Sequence, residues 1–431
     1  MPICSIPNST EKYYLLVFDR HGREVEEGGE LLSARIGADH PDATDIFVFM
    51  HGWKGDIPAA IDQYDRWISA MAQLPSDRAL MEGKRPNGFR PVWIGLHWPS
   101  LPWGDEDLPA PVSFAAGALD AVIEKYIDRL GGDDELRKPL RIIVGRAGED
   151  AQPDEMPDDV KAAYADVNSI VGLLADGVGG APDADRLAFD ASEQYQTMKD
   201  AIGVTFGGGI AATLLSPLDS LSFWTMKKRA RNVGENGFYP LLAGLSARLL
   251  GPRLHLMGHS FGCIAASAAT CGPEGSPRFD LASLVLVQGA LSLWSYSGDM
   301  PPRPKTPGYF ARLLSDGRVK GPIVTTRSKH DRAVGFFYPI AAGVAGEVAY
   351  VTTSKLPEFG GVGAFGAQGL GSPAEDMKML DADGEYEMEN GRILNLEASD
   401  YICHGGGLSG AHSDIAGPQV AHAVWSAAIA A

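Results

Sequence analysis

Apolar residues along this chain fall into short unbroken runs, separated by stretches with helical spacing. Residues 45–50, 90–98, 253–257, 281–288, 321–328, 347–353 and 392–396 read as strands, most of them buried. Residues 59–74 place Ile61, Tyr64, Trp67, Ile68 and Met71 on one helical face, and 236–250 and 418–430 read as further helices. At the start, residues 13–18 and roughly 24–27 flank Asp19-Arg20-His21-Gly22, which predicts an opening β-hairpin. Alternating strands and helices predict an α/β chain on a doubly wound, mostly parallel sheet.

The alternation stops between Pro99 and about Gly234. Amphipathic stretches at 118–130, 158–174 and 186–198 are broken there by Gly- and Pro-rich pieces, which predicts a mainly helical cap. The apolar stretch 201–215 carries Gly207-Gly208-Gly209 and soon meets Pro217 and Asp219, so it reads as a buried or lid segment rather than a membrane span. The division expected is a core from 1–100 and 234–431, with 101–233 as the cap insertion.

Composition narrows the class. The 431 residues are 45% hydrophobic and 21% charged, as in an ordinary globular protein. A net charge of −18 argues against nucleic acid and anionic membrane surfaces as partners. Cys4, Cys263, Cys271 and Cys403 form no C-x-x-C pair and read as reduced thiols. Residues 1–8 have neither a basic start nor an apolar core, so no Sec-type signal is read and a cytoplasmic location is expected.

The chemistry centres on Gly258-His259-Ser260-Phe261-Gly262, between an apolar run and the small-residue stretch Cys263-Ile264-Ala265-Ala266-Ser267-Ala268-Ala269. By composition the bare G-x-S-x-G string is weak; a strand before it and a helix after it make a nucleophile elbow, with the serine hydroxyl at the tip. A serine needs a base, and the base needs a group to hold its ring. In such folds the chain order is serine, acid, histidine. Asp331, following the run 322–328, is the expected acid; Asp299 is the rival and Asp400 an outsider. His412, between the last strand and the closing helix, is the expected base, ahead of His404. His422 lies within that helix and His330 adjoins the acid, so neither fits the role. Oxyanion donors are expected at the amides of Phe261 and Trp53, the latter in the loop His51-Gly52-Trp53-Lys54-Gly55 after an early strand. His51, Gly52 and His259 are expected to line the substrate site.

These residues resemble the α/β-hydrolase superfamily over 13–100 and 234–431. More narrowly, His51-Gly52-Trp53, Lys228-Arg229-Ala230 and Ser328-Lys329-His330-Asp331 resemble segments of bacterial lipase/esterase-like serine hydrolases. The resemblance implies a carboxylic ester hydrolase working through an acyl-enzyme. Acyl transfer on the same triad, or an idle hydrolase-fold binding protein, are the alternatives.

Trp53, Trp98, Trp103, Phe223, Trp224, Trp294, Tyr296 and Phe336-Phe337-Tyr338 flank the expected loops or cap, and an aromatic mouth would suit an apolar acyl or alcohol group. The basic run Lys227-Lys228-Arg229 with Arg231 reads as a solvated helix face or as cap salt bridges. Asp381-Ala382-Asp383-Gly384-Glu385 lacks full calcium-loop spacing and reads as a hairpin turn. No zinc spacing is present, and the chemistry calls for no metal or other cofactor.

Overall fold

The computed structural model describes residues 3–7, 9–53, 56–100, 116–131, 133–149, 153–205, 210–248, 251–343, 356–371, 374–407 and 409–431. Nine strands lie among them: β1 (Ile3–Ser5), β2 (Lys12–Val17), β3 (Asp45–Met50), β4 (Pro91–His97), β5 (Arg253–His259), β6 (Ser283–Val287), β7 (Ile323–Arg327), β8 (Ala374–Lys378) and β9 (Ile393–Glu397). They form one sheet in the order β1-β2-β4-β3-β5-β6-β7-β9-β8. Only β1 runs antiparallel to its neighbour; every other pairing is parallel.

Alternation along β3 shows how the sheet is buried on both sides. Ile46, Val48 and Met50 join one apolar cluster, and Phe47 and Phe49 join another. The second face is covered by helices Ile57–Ala72, Pro75–Gly83 and Pro418–Ala430, which contribute Trp67, Met81 and Trp425. The first face is covered by helix Phe261–Cys271 and by helices from the segment between β4 and β5, and its cluster runs without a break from Leu256 through Ala265 to Trp224 and Ile143. Among the described residues that segment contains helices Ala116–Leu130, Arg137–Ala147, Asp158–Val171, Ala191–Thr205 and Ile210–Val233, and no named strand. β3 begins on a buried ion pair, Asp45 with Arg85 at 2.7 Å. Burial would raise the Asp45 carboxyl, but hydrogen bonds from His255 and Arg85 hold it well below the usual range.

Several elements depart from expectation. The opening hairpin reduces to a single antiparallel bridge, Phe18 to Glu24. The segment 24–27 is mostly acidic and has no apolar alternation to bury, and β2 pairs with β1 and β4 instead. The helix expected at 186–198 begins at Ala191, because Asp190 accepts from the Ser192 and Glu193 amides and starts it there. The stretch 201–215 splits between the helices ending at Thr205 and starting at Ile210, and Pro217 sits inside the second. The turn at Asp381 is closed by the Gly384 amide on the Asp381 carbonyl, but it lies between parallel strands and so joins no hairpin. The strand expected at 347–353, Trp103, and the side chain of Phe337 lie outside the described residues.

No helix among the described residues is long and apolar enough to cross a membrane. All four cysteines are free.

Candidate active site

Parallel pairing brings the carboxyl ends of the central strands to one rim. Met50 of β3 lies beside Gly258 of β5, and His259 lies beside Val287 of β6. Ser260, Gln288 and the loop bearing Asp331 follow directly on these ends, where open parallel sheets place their reactive groups.

Ser260 has φ 56° and ψ −120°, a conformation seldom adopted by an L-residue. Its amide donates to the Val287 carbonyl at 3.1 Å, which ties the turn to β6. The flanking glycines are sterically required. A Cβ on Gly258 would lie 2.6 Å from the Gly262 carbonyl oxygen, and one on Gly262 would meet the carbonyl oxygens of Met50 and His51. Helix Phe261–Cys271 begins at the next residue and is buried throughout, which explains its small side chains.

His412 Nε2 lies 2.8 Å from Ser260 Oγ, and His412 Nδ1 lies 2.7 Å from Asp331 Oδ2. The two loops are stitched backbone to backbone: the Ala411 amide donates to the His330 carbonyl and the Arg332 amide to the Ser409 carbonyl. Gly410 permits this at φ 59°, where a Cβ would come within 2.9 Å of Arg332 Cγ. Asp331 Oδ1 accepts from the Val334 amide at 3.0 Å. Its Oδ2 also accepts from Gln288 Nε2 at 2.8 Å, while Gln288 Oε1 accepts from Thr326 Oγ1. Gln288 itself sits at φ 48°. Sequence reasoning did not single it out; its signal is a polar residue immediately past the apolar β6 run.

His259 lines the pocket, but both its ring nitrogens are engaged. Nε2 donates to the His412 carbonyl at 2.9 Å, leaving Nδ1 to accept from Gln63 Nε2 at 3.1 Å. It therefore supports the loop that carries His412. His51 does not reach substrate space as expected: it is 1% exposed, beneath the loop that follows β3. Its Nδ1 donates to the Gly52 carbonyl at 2.7 Å, and its Nε2 faces His97 Nδ1 and the Trp98 amide. Ser100 Oγ also donates to the Gly52 carbonyl. Because a trans peptide sets C=O and N–H on opposite sides, this grip turns the Trp53 amide the other way. The Trp53 and Phe261 rings stack with centroids 5.2 Å apart, bringing the two expected oxyanion residues side by side. Gly52 packs against Ser260, since a Cβ there would lie 2.7 Å from Ser260 Cβ.

The rival residues are elsewhere. Asp299 is exposed and accepts from the Lys305 amide; Asp400 faces Lys378; His422 pairs with Asp77; His404 pairs with Asp414.

The pocket at Ser260 has a volume of about 150 Å³. Trp53, Trp67 and Ile415 supply its apolar wall, and Asp62, Gln63, Arg66 and Ser413 its polar one. Of the described aromatic residues expected at the mouth, only Trp53 lines this pocket. Phe223 packs on the Trp53 and Phe261 rings, while Trp98 stacks on His51, Tyr296 bonds Ser267, and Trp224 and Tyr338 flank Lys227. The basic run is correspondingly not a solvated face. Lys227 is fully buried against the Tyr338 hydroxyl at 2.6 Å, and burial holds its pKa down at about 7. Arg229 donates to the Pro99 carbonyl, and Arg231 pairs with Asp183 and Glu235.

Comparison with protein-family models, curated proteins and solved structures returns no match for this chain.

Proposed function

We propose that this chain is a serine hydrolase of the α/β-hydrolase type, cleaving carboxylic esters through an acyl-enzyme. The observation that carries this reading is the continuous hydrogen-bonded line from Ser260 Oγ through His412 to Asp331. Support also comes from the elbow on β5, the loop after β3 and the helical segment between β4 and β5, which we read as the cap.

In this mechanism Ser260 Oγ attacks the ester carbonyl while His412 Nε2 takes its proton. Asp331 holds the ring and stabilises the imidazolium. The tetrahedral oxyanion is held by the Phe261 amide, at a helix N-terminus, and by the Trp53 amide. Collapse breaks the C–O bond, and His412 returns the proton to the departing alcohol. Water then repeats the sequence on the acyl-enzyme. The backbone strain at Ser260 costs roughly 1–3 kcal/mol, and a protein that only binds has no use for it. The partly polar pocket favours short esters over long apolar chains.

The test is a p-nitrophenyl ester series from acetate to laurate, with fluorophosphonate labelling. Ser260→Ala should stay folded and lose both hydrolysis and labelling. Hydrolysis by that variant at the wild-type rate would refute the assignment, and a rate rising steadily with chain length would refute the short-ester preference.

A further inference from the structure

Outside the triad, the described residues contain one cluster of mixed metal-ligating side chains. Cys403 Sγ, His404 Nδ1 and Asp414 Oδ2 all lie within 4.8 Å of one another. Sγ is 3.5 Å and Oδ2 is 3.2 Å from the same ring nitrogen. A catalytic relay would need the thiol and the carboxylate on different nitrogens of the imidazole, as in the Ser260 site. Here Nδ1 cannot both donate to Asp414 and accept from the Cys403 thiol. The thiol can donate weakly to the Asp400 carbonyl at 3.7 Å instead, while a shared cation would engage the sulfur, the ring nitrogen and the Asp414 carboxylate together.

The two distances to the ring nitrogen fit that alternative. Zinc bonds of about 2.3 Å to sulfur and about 2.0 Å to nitrogen or oxygen, at a tetrahedral angle, separate S from N by about 3.5 Å and N from O by about 3.3 Å. The Asp414 carboxylate is already held in place, since its Oδ2 accepts from the amides of Cys403 at 3.0 Å and His404 at 2.7 Å. The His404 side chain is 85% exposed, so water can complete the coordination. Thiolate, imidazole and carboxylate together suit a borderline-soft divalent ion rather than calcium or magnesium.

We propose that Cys403, His404 and Asp414 form a zinc-class metal site with an open position for water. Binding releases the Cys403 thiol proton to solvent and leaves a thiolate–metal bond. The ion would join the two ends of the loop that carries His412. This inference does not depend on the hydrolase reading.

The test titrates the full chain with Zn²⁺ against a chromophoric chelator, and separately with Co²⁺, followed by absorbance. Wild type should take up one tightly held Zn²⁺ through this site, and its Co²⁺ form should show thiolate charge transfer in the near ultraviolet. Cys403→Ser should lose the charge-transfer band. His404→Ala, at an exposed side chain, should weaken Zn²⁺ roughly tenfold or more, the scale seen even when a ligand's hydrogen-bond partner is lost. Ser260→Ala should bind as wild type does. Equal Zn²⁺ affinity in wild type and His404→Ala, or a Co²⁺ form without thiolate charge transfer, would overturn the site.

Discussion

Gln288 donates its side-chain amide to the same oxygen of Asp331 that receives His412. A buried carboxylate with a free lone pair on that oxygen could rotate; with Gln288 and the Val334 amide attached it has one orientation. Gln288→Leu removes a hydrogen bond to a charged group, worth about 1.5–3 kcal/mol, so kcat should fall roughly 10- to 100-fold. KM should hardly change, because Gln288 does not line the pocket. Steady-state kinetics on a short p-nitrophenyl ester checks both quantities.

Gly52→Ala tests the close approach behind the nucleophile. The new methyl would sit 2.7 Å from Ser260 Cβ and 3.0 Å from the His259 carbonyl oxygen. Moving the attacking oxygen by even a fraction of an ångström should cost up to about 10²-fold in rate. Thermal stability should fall as well, and further in Gly262→Ala, whose methyl would press more closely on two backbone oxygens.

Acid should loosen the loop after β3. Burial holds the His51 pKa down at about 3 and that of His97 at about 4. Both are below an unfolded value near 6.5, so between about pH 4 and 6.5 the unfolded chain binds more protons than the folded one. Stability therefore rises with pH across that window and is lost as pH falls through it. His97→Asn should flatten the slope by up to ~1.4 kcal/mol per pH unit, the contribution of one proton. Urea midpoints at a series of pH values report the difference.

Much of the sheet was readable because its signals are local. β3, β5 and the closing helix announce themselves through apolar runs, turn glycines and Pro418 at a helix start. β8 was not readable: Ala-Glu-Asp-Met-Lys has no β-branched residue, and it is a strand because it edges β9. The positions of Ser260, Asp331 and His412 followed from their places after strands, and the structure brings those three together. What surrounds them depends on distant partners. The basic run suggested a solvated face or cap salt bridges; Arg231 forms the latter, but nothing near Lys227 indicates that Tyr338 and Asp185 close over it. Aromatic residues near the catalytic loops suggested either a mouth or core and cap packing, and most of the described ones serve the interior, as large apolar side chains usually do. His51 shows the same limit: its neighbour in sequence is the loop it braces, and only the fold places His97 and Trp98 against its other nitrogen.

Lys227 also bears on how an ester would enter under the proposed reading. Its Nζ lies 3.9 Å from the Tyr338 ring centroid, and Tyr338 in turn donates to Asp185, so swinging the helical segment outward would take the Tyr338 hydroxyl away from two buried polar side chains. Leaving a buried polar group without its hydrogen-bond partner costs about 1–3 kcal/mol, a penalty such a gate would meet at each turnover. Access past Asp62 and Arg66, on the opposite side of the sheet, needs no such rupture. The velocity should then climb smoothly with ester concentration, showing no sudden jump where the ester begins to form micelles.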